Sequence, residues 1–371
     1  MKNLIDGGRV ELQLFTTFKC NLSCKYCAED IGDIRNSQSN IEYTLDQLEL
    51  FVETHFLDKE IIVTFYGGEP LLNIEYIKDV MHRFPLWRYQ LQTNGTLLTN
   101  LNYDILQRFD SILISIDGDE SITDLYRGQG VHSRVIKNLQ YARENTDAYL
   151  TGRCTWSSPS PKAKDITHIL DLFDYVYFQF VHVEWIYTDE YIIEMKKALK
   201  ELVEIFLSSK QLMKIVPLMG FCRNILFPSR AKELYNGKTQ CRVSSHLFNI
   251  LPNGKIAACS DCAHDKKLFY GSVIENYCDT NPLQYSDKFP CKSCIAFNVC
   301  RMNCVKGLYR SYIENNLEYK QTILDSTCIF IKYLYELFME EDLTQWYMNL
   351  SRQDKRELLN SPLYEYVEIM P

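Results

Sequence analysis

Nowhere in the 371 residues is there an apolar run approaching the roughly 18 residues that a membrane-spanning helix requires. The opening stretch, MKNLIDGGRVELQL, lacks the apolar core and the small-residue cleavage site of a secretory signal. Positive charge is not in excess either. Forty Lys and Arg stand against 48 Asp and Glu, and a net charge of −8 would repel a phosphate backbone instead of releasing its counterions. Internal repeats and low-complexity tracts are also missing. These absences argue against a membrane protein and against a nucleic-acid partner, and the reading that remains is a cytoplasmic protein.

What is present fits an ordinary globular chain. The composition is 46% apolar and 24% charged, which rules out disorder and leaves room for a large core. The length suggests two domains, or one large α/β domain with an appendage. The anomaly is 14 cysteines. A reducing cytosol does not favour structural disulfides, so cysteines clustered at short spacings point to metal or iron–sulfur ligation.

From residue 11 to about 181, short runs rich in β-branched and aromatic residues alternate with stretches at helical spacing, the mark of βα units around a parallel sheet. Six strands are expected: Glu11 to Thr17, Glu60 to Phe65, Trp87 to Thr93, Ser111 to Asp117, Ala148 to Thr155 and Tyr175 to Val181. Helices are expected over Leu45 to Phe56, Ile74 to Arg83, Leu101 to Phe109, Ser133 to Glu144 and Ala163 to Phe173. Such a sheet is either open or part of a barrel. A long amphipathic helix follows over Asp189 to Leu212, and the pattern then breaks at Pro217, Gly220 and Pro228, which reads as a domain boundary. Beyond Cys241 the texture turns short and irregular, too poor for an ordinary core and expected to rely on metal. The tail, Thr327 to Met348, is helical again, with Trp346 and Tyr347 as packing anchors.

After the first strand comes CNLSCKYC, with Cys20, Cys24 and Cys27 on a strand-to-helix loop. A structural zinc site would want four protein ligands. Three cysteines on a 4Fe-4S cluster leave one iron open to a ligand from outside the chain. The second strand ends in YGGEP, Tyr66 to Pro70; the third closes on QTNG, Gln92 to Gly95; the fourth closes on SIDG, Ser115 to Gly118; and DLYR follows, ending in Arg127. In this order at successive strand ends, these motifs resemble the radical S-adenosylmethionine (radical SAM) superfamily. The resemblance implies that Gly67, Gly68 and Glu69 hold the amino group of the cofactor's methionine. Glycines permit close backbone approach, and a carboxylate suits an ammonium. It implies further that Arg127 holds the methionine carboxylate, that Tyr26 packs near the adenine, and that Asn94, Ser115 and Asp117 contact the cofactor. The chemistry implied is reductive cleavage of the sulfonium to a 5′-deoxyadenosyl radical that abstracts a substrate hydrogen.

A second set of cysteines runs from Cys241 through Cys259, then CKSCIAFNVCRMNC, then Cys328, with Gly254 between the first two. A zinc ribbon would use four ligands and leave three of these unexplained. The arrangement resembles the seven-cysteine SPASM domain found after radical SAM barrels that modify peptides and proteins. By that resemblance Cys241, Cys259 and Cys304 serve a first auxiliary 4Fe-4S cluster, and Cys291, Cys294, Cys300 and Cys328 complete a second. Residues 242 to 258 contain none of the extra cysteine that sulfatase-maturing relatives place there. The fourth ligand of the first auxiliary cluster is then Cys262 or Cys278, with Cys262 favoured, or else that iron is open to substrate. Asp261 and His264 lie beside this loop as candidates for a general base. Cys154 and Cys222 read as buried small hydrophobes.

The expectation is therefore an α/β chain: a partial (β/α)6 TIM-type barrel over residues 1–225, a SPASM domain over 226–335 and a helical tail over 336–371. It would hold three 4Fe-4S clusters and S-adenosylmethionine. Two auxiliary clusters imply an oxidation, which suits a maturase that installs an intramolecular thioether or carbon–carbon crosslink in a ribosomally made precursor peptide. The alternatives are a sulfatase-maturase-type oxidation of Cys or Ser to formylglycine and, in another class, a non-catalytic iron–sulfur carrier or scaffold. An electron donor such as flavodoxin or ferredoxin is implied. Only 19 residues precede Cys20, too few for a winged leader-binding domain. A leader would then be read by a separate small protein, by β-addition to a strand edge, or not at all.

Overall fold

A computed structural model describes residues 8–27, 40–181, 187–229, 239, 241–243, 246–279, 288–302 and 304–362. The strands are β1 (Arg9–Thr17), β2 (Glu60–Gly67), β3 (Arg88–Thr93), β4 (Phe109–Ser115), β5 (Tyr149–Trp156), β6 (Tyr175–Phe180), β7 (Leu247–Ile250), β8 (Lys255–Ala257), β9 (Phe269–Ser272) and β10 (Tyr277–Cys278). The longer helices are α1 (Leu45–His55), α2 (Ile74–Arg83), α3 (Glu120–Arg127), α4 (Val131–Asn145), α5 (Ala163–Leu172), α6 (Asp189–Ser208), α7 (Val216–Leu226), α8 (Val305–Tyr312), α9 (Asp325–Met339), α10 (Leu343–Asn349) and α11 (Arg352–Asn360). None of the described helices is long and apolar enough to cross a membrane.

The chain divides into two compact units. The first comprises Met1–Ser115, Thr123–Leu150 and Arg242–Gln284; the second comprises Ile116–Ile122, Thr151–Cys241 and Tyr285–Pro371. In the first, the strands run in the order β10, β9, β8, β7, β1, β2, β3, β4, with β7 through β4 parallel and β7 through β10 an antiparallel meander. One face of the parallel part is a layer of fully buried Leu12, Leu14, Val63, Phe65, Leu91 and Ile114. Helices cover it. The Tyr89 hydroxyl on this face donates to the carbonyl of Phe84 at the end of α2 at 2.7 Å, and Phe248 meets Phe56 just beyond α1 at 4.6 Å between centroids. A parallel sheet demands this, since its crossover helices must bury its apolar rows.

In the second unit β5 and β6 pair in parallel, and α9 packs its Phe330 5.0 Å from Phe180. Trp346 reaches Phe206 at 5.5 Å and Tyr347 reaches Phe227 at 5.4 Å, so both tail aromatics act as anchors. Cys154 and Cys222 are fully buried, as their apolar surroundings suggested.

Three expectations are corrected. The segment Leu101 to Phe109 is not a helix but a single turn, Tyr103–Leu106, because Asn102 caps only at Ile105 and Phe109 already opens β4. Pro217 and Gly220 do not break the helical pattern but lie inside a helix. Pro217 lies in the first turn of α7, where its missing N–H costs nothing, and nine residues of that helix are buried. The stretch after Cys241 does build a core. Leu251, Ala257 and Ala263 pack with Phe15 and Phe18 of the first unit's N-terminal segment, joined by Tyr66 and Phe269. The Asn253-Gly254 turn shapes this piece, with Gly254 at φ +75° and its N–H donating to Leu251 across the β7–β8 connection at 2.9 Å.

Candidate active site

The site starts from a defect in strand pairing. The β1–β2 register shifts between Phe15 and Thr17, and this bulge is held from below by the segment after β2. The Thr16 hydroxyl donates to the Pro70 carbonyl at 3.1 Å, and the Asn73 amide donates to the Thr16 carbonyl at 2.8 Å. Past the bulge the end of β2 lies directly on residues 17–19. Gly68 N–H donates to Thr17 at 2.9 Å and Glu69 N–H to Lys19 at 2.8 Å. A Cβ on Gly68 would stand 2.3 Å from the Lys19 carbonyl oxygen and 2.5 Å from that of Phe18, and one on Gly67, at φ +138°, would stand 2.2 Å from that of Thr17. Both glycines therefore do backbone work here, letting one strand end frame the approach to Cys20.

Glu69 is fully buried and its carboxylate ties three segments together. It accepts the Thr93 hydroxyl at 2.7 Å, the Asn94 N–H at 2.8 Å and the Leu71 N–H at 3.1 Å. Desolvation pushes its pKa up to about 7 against the pull of these three donors. Three donors leave one of the roughly four acceptor positions of a carboxylate for a ligand cation.

Asn94 is the hub of the next layer. Its amide donates to the Asn21 side chain at 2.8 Å and approaches the Cys20 sulfur at 3.9 Å, while its oxygen accepts from the Thr96 hydroxyl at 2.6 Å. Asn21 in turn donates to Thr96 at 2.8 Å. The Cys20 sulfur also accepts the Leu22 N–H at 3.4 Å. Donors aimed at sulfur stabilise a thiolate, so this surrounding suits a metal-bound cysteine. Cys24 and Cys27 are joined by a backbone turn, Cys27 N–H to Cys24 carbonyl at 3.1 Å, and all three side chains are partly exposed. None of the cysteines is in a disulfide. Among the described residues no three Cys, His, Asp or Glu side chains converge as the ligands of a single ion do. A cubane asks something else, because each thiolate binds its own iron corner.

Tyr26 and Arg127, far apart in sequence, come together. The Arg127 guanidinium stands 5.5 Å over the Tyr26 ring, and Tyr26 lies 5.8 Å from Tyr126. The Lys25 N–H donates to the Tyr126 carbonyl at 2.9 Å, which fastens the cysteine loop to the end of α3. Asp124 fixes the turn beyond: it accepts from Gly130 N–H at 2.6 Å and His132 N–H at 2.9 Å, with Gly128 and Gly130 both left-handed. Arg127 is buried and stacked, so its guanidinium is held in place instead of swinging in solvent. Ser115 ends β4. Asp117, in the second unit, accepts the Thr155 N–H at 3.2 Å and so pins the end of β5.

A family model described as the radical SAM superfamily matches residues 14–155, the stretch that contains these motifs. Residues 14–155 are a radical SAM domain. Among curated proteins, the radical SAM cyclopropyl synthase TigE of Paramaledivibacter caminithermalis is 26% identical over 169 residues, 39% of this chain and 35% of that protein. The 7-carboxy-7-deazaguanine synthase of Methanothermobacter thermautotrophicus is 30% identical over 36% of this chain and 52% of its own length. The chain thus spans a third to a half of the length of these relatives. Among solved structures, anSMEcpe with bound AdoMet superposes with a TM-score of 0.68 at 20% identity, covering 90% of this chain and 98% of that one. Streptococcus suis SuiB bound to its precursor peptide SuiA gives 0.55 at 15% identity over 87% and 76%. These two share the fold of this chain over most of its length.

Outside the radical SAM domain the cysteines fall in both units. In the first, Cys259 precedes the helical turn Ser260–Cys262, which carries the half-exposed Asp261 and the buried Cys262, and half-exposed His264 follows it. Cys278 ends the same unit's meander, its pKa pushed up to about 12 by burial and by Asp279. Cys241 and Cys304 belong to the second unit. Cys304 caps α8 from a left-handed conformation, φ +65°, its sulfur accepting Gly307 N–H at 3.2 Å. Arg301 and Met302 are left-handed too, an uncommon run for residues with side chains, of the kind that clusters at functional sites. Cys291 and Cys328 share one apolar cluster with Phe289, Met302 and Leu324. Burial pushes the Cys328 thiol up to about 12, and the neighbouring Cys291 and Cys294 push it the same way. Three of the four cysteines that the resemblance implies for a second auxiliary cluster thus lie in one neighbourhood. Cys300 closes the short helix Phe297–Cys300 after them.

Sequence reasoning did not find Asn21, Thr96, Tyr126 or Asp124. Asn21, Thr96 and Tyr126 act through partners from other segments, so no local spacing marked them, whereas Asp124 acts locally, and the glycines at 128 and 130 that follow it hinted at a built turn.

Proposed function

We propose that this chain is a radical SAM maturase that oxidatively crosslinks a residue pair within a peptide or protein substrate. The observation that carries this reading is the coexistence of the Cys20–Cys24–Cys27 loop with the grouped Cys291, Cys294 and Cys328, sulfurs the radical chemistry itself does not require. Support also comes from SuiB and anSMEcpe, whose solved structures include bound peptides.

When bound, the reduced cluster and S-adenosylmethionine would supply a 5′-deoxyadenosyl radical. Cys20, Cys24 and Cys27 would ligate the cluster, with Asn94 and Leu22 N–H orienting the first sulfur. Glu69 would receive the methionine ammonium at its remaining acceptor position. Arg127, held flat by Tyr26, would take the carboxylate, and the Tyr26–Tyr126 pair would shield the adenine side. Asp261 or His264 would accept the proton released as the substrate radical is oxidised. Cys291, Cys294, Cys300 and Cys328 would hold an auxiliary 4Fe-4S cluster as electron acceptor, and a flavodoxin- or ferredoxin-type protein would supply reducing equivalents.

Two measurements test this. Cys300→Ala should leave formation of 5′-deoxyadenosine largely intact while product falls at least about 100-fold, and the iron content, about twelve atoms per chain if three clusters load, should drop by about four. Normal product would make the auxiliary site dispensable. Mass spectrometry of the treated peptide should show a loss of two hydrogens with sulfur retained; a formylglycine signature instead would move the assignment to sulfatase-maturase chemistry.

Glu69 gives the reading a pH dependence. An ammonium prefers the ionised carboxylate, and a pKa of about 7 means most Glu69 is protonated at pH 6 and ionised at pH 8. S-adenosylmethionine should therefore bind about tenfold more tightly at pH 8 than at pH 6. The protein without cofactor should move oppositely: folding raises this pKa, so its contribution to stability is present below about 4.5 and is lost as pH rises through about 7. Glu69→Gln should flatten both profiles in equilibrium dialysis and denaturant titrations.

A further inference from the structure

One stretch of this acidic chain is basic. From Lys288 to Lys332 seven Lys and Arg stand against three Asp and Glu, although the whole chain carries −8. One of the three acids is engaged internally. Residues Lys320–Leu324 wind as a π-helix into α9, and this wider turn brings the Lys320 ammonium onto both oxygens of Asp325, at 2.9 and 3.1 Å. Beside the grouped cysteines, Lys288, Lys292 and Lys332 are exposed.

Local geometry brings these lysines to one place. Lys292 lies in the turn Pro290–Ser293 between Cys291 and Cys294, closed by the Cys294 N–H on the Cys291 carbonyl at 2.9 Å. Lys332 stands one turn after Cys328 on α9 and so on the same side of that helix. Its ammonium counters the upward push of burial on both the Cys291 and Cys328 thiols, which sets it beside both segments. Lys288 precedes Phe289, whose ring shares an apolar cluster with Cys291 and Cys328. Within this rim two large apolar side chains are open to water. Ile295, next after Cys294, is 56% exposed, and Ile329, next after Cys328, is 36% exposed. Ile329 and Lys332 are three apart on α9 and hence neighbours on its surface, while Phe330, Ile331 and Leu334 turn inward. Apolar side chains rimmed by charge are the make-up of interaction surfaces.

We propose that this face, with Ile295 and Ile329 at its centre and Lys288, Lys292 and Lys332 around them, docks an acidic one-electron carrier protein. A rim of one sign selects a partner of the other. The rest of the chain is more acidic than the whole, so an extended polyanion such as a nucleic acid would be repelled beyond the patch, whereas a folded protein with a local acidic face would not. Each exposed isoleucine is the chain neighbour of a cysteine, so a partner that covers it touches the backbone holding the sulfurs. That closeness serves single-electron exchange: one electron leaves the metal group and reduces the oxidised carrier by one, with no bond made or broken. Redox encounters of this kind are small and short-lived, which a patch of this size suits. The electron traffic rests on the maturase reading; the docking does not.

Surface plasmon resonance of the reconstituted full-length chain over immobilised flavodoxin, chosen for an acidic surface, reads docking without turnover. Saturable binding is expected, weakening at least about tenfold between about 20 and about 200 mM salt. Lys292→Glu combined with Lys332→Glu should weaken it at least about tenfold at the lower salt and flatten the salt dependence. Ile295→Ser should weaken it about threefold with the salt dependence kept, and Lys200→Glu, at an exposed lysine of α6, should change nothing. Iron per chain is measured on each variant, and if Lys332→Glu lowers it, Lys288→Glu with Lys292→Glu carries the test. Four results would overturn the proposal: no saturable binding by the wild type, equal binding by the charge-reversed chain, equal binding of polyglutamate, or loss of binding on reversing Lys19 and Lys25 at the first cysteine loop instead. Self-association that vanishes in the same variants would assign the face to a second copy and overturn it too. Docking that follows the lysines in a chain that crosslinks no peptide would keep the surface and discard the maturase reading.

Discussion

Gly68→Ala should produce a chain that no longer loads iron on its first three cysteines and unfolds at clearly lower denaturant. The added methyl would stand 2.3 and 2.5 Å from two carbonyl oxygens, and both belong to backbone that leads straight into Cys20. Side chains can rotate away from an added methyl, and such overpacking costs about 1–3 kcal/mol. Carbonyls of residues 18 and 19 can move only by opening the Gly68 and Glu69 hydrogen bonds to residues 17 and 19, so a cost of about 3 kcal/mol is expected. The control is Gly130→Ala. Gly130 is left-handed at φ +75° but has nothing within 4 Å of a Cβ, so only the conformational cost of about 1 kcal/mol remains, with normal iron. Unfolding midpoints and iron per chain, measured side by side, separate steric closure from backbone preference. Equal behaviour of the two variants would show that the tight approach at Gly68 is not what holds the loop.

Cys24→Ala should abolish 5′-deoxyadenosine formation altogether. Cys24 occupies the centre of the loop, its carbonyl held by Cys27, and two remaining thiolates cannot hold a cubane that already leaves one iron to an outside ligand. Iron should fall by about four atoms while the sulfurs near Cys328 keep theirs. The overall fold should survive, because Cys24 is partly exposed. Chromatographic assay for deoxyadenosine after anaerobic reduction checks this, and retained cleavage would contradict the ligand assignment.

Much of this was readable from the chain alone, for a specific reason. The six parallel strands of the βα units begin and end within two residues of their expected limits, because β-branched runs between helical repeats carry that information locally. The motifs at the strand ends were readable for the same reason, each being contiguous. What failed was non-local. Pro217 and Gly220 look like breakers until the surroundings bury a helix around them. The irregular cysteine-rich stretch looks coreless until Phe15 and Phe18, more than 230 positions earlier, supply the missing apolar partners. That Gln13, Thr64, Gln90, Ser111 and Asn249 lie side by side could not be seen, because they become neighbours only through strand register. For Gly67 and Gly68 the resemblance implies contact with the methionine amino group, and the fold adds that a Cβ on either would meet the chain's own carbonyls.

The insertion of β7 alongside β1 bears on how the protein is made. Strand β1 is central, flanked by β2 on one side and β7 on the other, yet β7 is read from the message more than 200 codons after it. Until residue 250 has left the ribosome, one flank of the first strand is an open hydrogen-bonding edge, beside the loop proposed to receive iron. Fragments ending before Leu247 should therefore self-associate on expression, and cluster insertion during synthesis would meet a sheet that is still unfinished.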